Sequence, residues 1–169
     1  MLTIAAVSHP RTIRRSTLLD APPELIWAAV RTPQAFRYVT RGLLDWRPLR
    51  GRGEPWQEGE ESTGWLLLGG VAPFSRHRIR VAEIDHEARV LRSDESGGAI
   101  RSWRHDIIVE AHGDSRTRYT DVIRIDAGLL TAFVAAFAWG FYRIRQRRWQ
   151  ALAILLASVD HARLAPAGT

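Results

Sequence analysis

Four polar residues have the types that acid/base chemistry needs: His77, His105, Tyr119 and Asp121. Histidine titrates nearest neutrality, and a carboxylate on one ring nitrogen fixes which nitrogen carries the proton. A tyrosine hydroxyl can polarise a ligand carbonyl. Read with a period of two, His77 shares a face with Ile79 and Val81, and His105 with Trp103, Ile107 and Val109. Tyr119 and Asp121 share one with Ile123 and Ile125. In each run the apolar members mark the side turned to the core, so all four polar groups are expected to point into one interior. His105, Asp121 and Tyr119 are the expected catalytic groups, suited to enolisation, aldol cyclisation or dehydration. The competing expectation is that they only satisfy one another's hydrogen bonds.

Other chemistries are excluded or unsupported. The 169 residues include no cysteine, and all 24 basic residues are arginine. Thiolate nucleophiles, thiolate zinc sites, Schiff-base lysines and P-loop lysines are therefore ruled out. No His-Glu-x-x-His or other ligand spacing suggests a metal, no serine sits in a nucleophile elbow, and no glycine-rich phosphate loop follows a strand. No metal and no cofactor are expected. His9, His86, His112 and His161 fall in tails and turns. The net charge of +6 permits an acidic partner, but the arginines are scattered, and the densest run, Arg143, Arg145, Arg147 and Arg148, fits no nucleic-acid module. No nucleic-acid partner is expected.

The elements that must position these residues follow from period and punctuation. Thr12–Leu19 reads as a strand. Asp20-Ala21-Pro22-Pro23-Glu24 is a helix start, because proline loses no hydrogen bond in a first turn and an acid suits the positive end of the dipole. That helix is expected to reach about Arg31, with a second from Pro33 to about Thr40. Strands follow over Leu43–Leu49, Trp65–Leu68, Ser75–Ile84, Arg89–Glu95, Ile100–Ala111 and Ser115–Ile125, with a Gly-, Pro- and Glu-rich loop over Arg50–Ser62. Their short separators imply an antiparallel sheet. From Gly128 to about His161 the chain reads as one long helix. On a helical wheel Leu130, Val134, Phe137, Phe141, Ile144, Leu152, Leu155 and Val159 share a stripe expected to face the core, and Arg148 falls within it. A buried guanidinium there would need Asp121 or a ligand carboxylate, or else would snorkel to water. Trp139, Tyr142 and Trp149 form a second apolar face, expected to serve as a homodimer seam, a cavity gate or, with Arg143, Arg145 and Arg147, a transient contact with anionic lipid. The alternative is that the loop carrying Trp56 covers that face.

A sheet of about seven strands must curl, and a long amphipathic helix must cover its concave face. The expected class is therefore α+β, with a helix-grip arrangement and two short helices after the first strand. One domain is expected over residues 1–169, with an ordered core of about 12–160. Such a grip leaves room for an apolar cavity. Trp46, Trp65, Trp103, His77, Phe133, Phe137, Phe141 and Arg148 are the residues expected to line it; Trp27 is expected to pack in the core.

Three segments carry a family resemblance. Ser16-Thr17-Leu18-Leu19-Asp20-Ala21-Pro22-Pro23-Glu24-Leu25-Ile26-Trp27 resembles the strand and first helix of the START-like, Bet v 1-like (SRPBCC) superfamily. Trp103-Arg104-His105 and Thr117-Arg118-Tyr119-Thr120-Asp121 resemble its last two strands, and Phe141–Trp149 its terminal helix. The resemblance covers about residues 12–160 and leans to the polyketide cyclase/dehydrase branch. It implies a small hydrophobic or aromatic ligand, polyketide- or lipid-like, between sheet and helix. It also implies a polyketide cyclase or aromatase as the catalytic alternative, and a lipid carrier or interaction module acting through the last helix as the non-catalytic one. Leu2–Val7 has no basic residue before it, and the longest uncharged stretch, Ala127–Tyr142, falls short of the roughly 18–20 residues that span a bilayer, so a cytoplasmic location is expected.

Overall fold

The structure, a computed structural model, describes residues 9–164, so Leu2–Val7 lies outside the described residues. Strand β1 (Arg11–Leu19) leads through Pro22 and Pro23 into α1 (Pro23–Val30), whose first turn carries Glu24. Helix α2 (Pro33–Thr40) starts on Thr32, whose Oγ1 accepts from the Ala35 amide at 3.2 Å. That bond supplies one of the partners that a helix start lacks.

The expected strand over Leu43–Leu49 is cut short. β2 covers only Leu44–Trp46 and passes into a 3-10 turn over Arg47–Leu49. Pro48 has no N–H for a ladder and fixes the turn. After the loop come β3 (Glu61–Leu68), β4 (Ala72–Asp85), β5 (Val90–Gly97), β6 (Ile100–His112) and β7 (Arg116–Asp126). The seven strands form one antiparallel sheet in the order β1-β7-β6-β5-β4-β3-β2. Register shifts at Leu66/Leu67, Val81/Glu83 and Glu95/Gly97 mark bulges, which bend strands and help the sheet curl.

Gly128 turns the chain from β7 towards the last helix at φ 59°, and a Cβ there would meet the Arg101 guanidinium at 2.9 Å. Helix α3 (Thr131–Leu164) follows, about 51 Å long at the usual rise, and packs over β1, β7 and α2. It is turned differently from the expected stripe. The buried side is Ala135, Ala138, Tyr142, Arg145, Gln146, Trp149 and Ala153. Leu130, Phe137, Ile144, Leu155 and Val159 are exposed, and only Val134, Phe141 and Leu152 of that stripe pack partly against the core. Three alanines let the backbone approach the sheet, and the concave face it meets is itself polar, so polar helix residues go inside. Two apolar clusters result, one around Trp27, Val39, Tyr119 and Trp149, the other around Trp103, Ile123, Ile125 and Tyr142.

Candidate functional site

β6 and β7 pair so that His105 stands opposite Ile123, with Asp121 one inward position further along β7. The result is a fully buried carboxylate surrounded by donors. His105 Nε2 lies 2.8 Å from Asp121 Oδ1, the Tyr119 hydroxyl donates to the same oxygen at 3.1 Å, and Arg145 Nη1 at 3.3 Å. Gln146 Nε2 donates to Oδ2 at 3.1 Å and to the Arg15 carbonyl at 2.9 Å, which ties α3 to β1. An ionised carboxylate only accepts, so the His105 proton sits on Nε2, and in the neutral ring Nδ1 is the basic nitrogen. Burial would raise the Asp121 carboxyl, but the Arg145 charge and the His105 and Gln146 hydrogen bonds outweigh it and hold it below its ordinary 3.8. Burial, with Asp121 beside it, pushes the Tyr119 phenol well above 10 despite the Arg145 charge.

A second pair lies on the same face of the sheet. His77 Nε2 is 3.2 Å from Glu95 Oε2, and Ser93 Oγ donates to Oε1 at 2.9 Å. Burial raises the Glu95 carboxyl, but the His77 hydrogen bond and the charges of His77 and His105 bring it below 4.5. Gly97 makes this contact possible, since a Cβ there would come within 2.2 Å of the Arg76 carbonyl oxygen and 2.9 Å of His77 Nδ1.

Between sheet and α3 lies a cavity of about 50 Å³. Val30, Phe36, Trp56, Ile79, Val81, Leu91 and Ile107 form its apolar wall. The rest of its lining is Ser93, Glu95, His105, Arg145 and Trp149, residues that carry polar side-chain atoms. Asp121 and Tyr119 do not line it; they stand behind His105 and Arg145. Phe36 also borders a wider open groove of about 790 Å³ outside α2, so it forms a wall between groove and cavity. Trp56 stands edge-on to Phe36 with ring centres 6.4 Å apart, and the Arg52 guanidinium lies 4.9 Å from the Trp56 ring centre.

Of the expected site residues, His105, Asp121 and Tyr119 are brought together, while His77 joins Glu95 instead. Trp103 is buried but stacks on Tyr142, and Phe141 packs on the same cluster. Trp46 is buried at the groove. Three expectations are corrected. Trp65, Phe133 and Phe137 are 46%, 75% and 45% exposed and face outward. Arg148 reaches neither Asp121 nor the cavity. It donates to the Val39 and Arg41 carbonyls at 3.2 and 2.6 Å, at the C-terminal end of α2, and Arg145 holds the buried place. Tyr142 and Trp149 are interior, which leaves Trp139 alone of that trio at the surface. Glu95, Ser93 and Gln146 carry no sequence expectation as site residues, and Arg145 and Trp149 are expected only in a lipid contact and in a dimer seam or cavity gate. Strand parity could have found Ser93 and Glu95, since both share the inward face of Leu91. Arg145 is three residues from Tyr142 and four from Trp149, hence on their helix face.

A curled antiparallel sheet gripping a long helix, with two short helices after the first strand, is the Bet v 1-like, helix-grip fold. Solved structures agree. Norcoclaurine synthase from Thalictrum flavum, in complex with dopamine and hydroxybenzaldehyde, superposes with a TM-score of 0.64 at 12% identity, covering 91% of this chain and 95% of that one. Protein CV1439 from Chromobacterium violaceum gives 0.65 at 14%, covering 84% and 96%. TTHA0849 from Thermus thermophilus gives 0.61 at 13%, covering 86% and 98%. The chain belongs to the family described as "Domain of unknown function (DUF8410)", whose model matches residues 17–152. No curated protein matches it. Among the described residues no helix is long and apolar enough to cross a membrane.

Proposed function

We propose that this protein binds a small aromatic or hydrophobic molecule in the cavity between sheet and α3. The observation that carries the reading is a cavity with an apolar wall on one side and buried His105, Arg145 and Trp149 on the other. This is the composition of a small-molecule site. At about 50 Å³ it has room for a few waters. A ring-bearing ligand therefore enters as Trp56 and Phe36 move aside. Trp56 is half-buried, sits on the loop before β3 and is held through its backbone N–H to the Arg31 carbonyl at 2.8 Å. The similarly folded norcoclaurine synthase holds dopamine and hydroxybenzaldehyde, ligands of the aromatic class proposed here. Indole, the shape of the side chain that would leave, is the direct probe. Trp56→Ala is expected to bind indole and to melt at a higher temperature in its presence. Native mass spectrometry of the freshly purified protein is expected to show an apolar passenger. If Trp56→Ala binds neither indole nor any other aromatic probe, the reading is wrong.

A second reading makes the same cavity an active site of polyketide cyclase type. The observation that favours it is His105, on the cavity wall with Asp121 braced behind it. His105 is then the acid/base group, and Asp121 and Tyr119 position it. His105→Ala is expected to bind ligand but lose turnover; unchanged turnover would leave binding alone.

A further inference from the structure

Two N–H groups at the cavity have no acceptor among the described residues. Arg145 Nε and Trp149 Nε1 are buried, make no hydrogen bond, and belong to cavity-lining residues that are 4% and 1% exposed. Four residues apart on α3, they lie one helical turn apart on one face. His77 Nδ1, outside the cavity lining, is likewise buried without a partner, whereas the carboxylates of the site are well supplied. Asp121 takes four donors, and Glu95 takes His77 and Ser93. Buried donors without acceptors cost stability, so a pair of them beside a cavity marks where an acceptor belongs.

The charges around that position decide what kind of acceptor. Arg145 brings the permanent positive charge, already engaged with Asp121, while His77 and His105 carry one only when protonated. Glu95 brings a second carboxylate to the cavity wall, and both carboxyls are held below their ordinary values. An anionic ligand would add a third negative charge in a poorly screened interior. A neutral carbonyl oxygen meets both donors without that repulsion. Resting on the binding function proposed above, we infer that the cavity selects a neutral aromatic carbonyl compound, an aldehyde or ketone, with its oxygen on Arg145 Nε and Trp149 Nε1. An aromatic carboxylate and a plain hydrocarbon of the same shape are both discriminated against, one by charge, the other by leaving the two donors unmet.

Three ligands of one shape test this: 2-acetylnaphthalene, 2-ethylnaphthalene and 2-naphthoate, titrated by calorimetry into the intact protein and into Trp56→Ala, where only Phe36 still has to move for entry. The ketone is expected to bind about tenfold more tightly than the hydrocarbon, the effect of one or two hydrogen bonds to buried donors, and the carboxylate more weakly than the ketone. In Trp149→Phe, which keeps a ring and loses the N–H, the ratio of ketone to hydrocarbon affinity is expected to fall towards one. Arg145→Lys, which keeps the charge for Asp121 and loses Nε, is expected to lower the same ratio. Equal binding of all three would overturn the inference and leave the cavity reading standing. Tightest binding of 2-naphthoate would overturn it in favour of an anion site. Binding of none to either protein would remove the cavity reading and the inference with it.

Discussion

Asp121 is the residue on which the polar interior is organised. Its two oxygens collect a histidine, a phenol, a guanidinium and an amide from β6, β7 and α3. It stands behind His105 and Arg145 and does not line the cavity, so its part in any chemistry is to hold His105 and to keep Arg145 compensated. That makes Asp121→Asn a test of structure before function. The amide keeps the shape but removes the charge, turns one acceptor into a donor, and leaves the buried Arg145 without its ion-pair partner. We expect a loss of about 3–5 kcal/mol, the usual cost of breaking a buried pair from one side. Urea unfolding followed by far-UV circular dichroism measures it; a loss under about 1 kcal/mol would mean that water reaches Arg145.

Among the elements, α3 separates what sequence reading captured from what it missed. Most of the strands, the two proline-started helices and the antiparallel order were legible because alternation and turn residues are local signals; β2 stops at Trp46, and β3 begins at Glu61 within the expected Arg50–Ser62 loop. So was the His105–Asp121–Tyr119 group, since parity alone places those side chains on the inner face. The orientation of α3 was not legible. A wheel weighted by apolar size favours Leu130, Phe137 and Ile144, whereas a concave face carrying Asp121, His105 and Glu95 selects a helix side of alanine, tyrosine, arginine and glutamine. Arg148 shows the same limit. Its sequence position suggested a buried charge, but in the fold it caps α2, donating to two carbonyls near that helix's end. A cation there also suits the negative end of the helix. Arg148→Ala is expected to cost about 1 kcal/mol and, because it lies away from the cavity, to leave the ketone-to-hydrocarbon ratio unchanged. A loss of that ratio in Arg148→Ala would mean that α2 and its Phe36 set the cavity wall through this cap.

At the scale of the whole molecule, the buried titratable groups set the pH range over which the grip holds. Asp121 and Glu95 both titrate below their ordinary 3.8 and 4.5 when folded. Unfolding would therefore make them take up protons as the medium turns acid. Their stabilisation is complete above those ordinary values and is lost as pH falls through the lower folded ones. Tyr119 and Tyr142 are shifted the other way, both pushed above 10, chiefly by burial. Their contribution is complete below 10 and is lost as pH rises towards the folded values, because only the unfolded chain releases those protons. Stability should then be level across the neutral range, with an acid limb owed to the carboxylates and an alkaline limb owed to the phenols. The measurement is the urea midpoint at each pH for the wild type, Asp121→Asn and Tyr142→Phe. Asp121→Asn should have a shallower acid limb and an unchanged alkaline one, and Tyr142→Phe the reverse. If Asp121→Asn lowers the midpoint equally at every pH, the Asp121 carboxyl does not titrate below its unfolded value, and the Arg145–Asp121–His105 cluster is held by packing and not by charge.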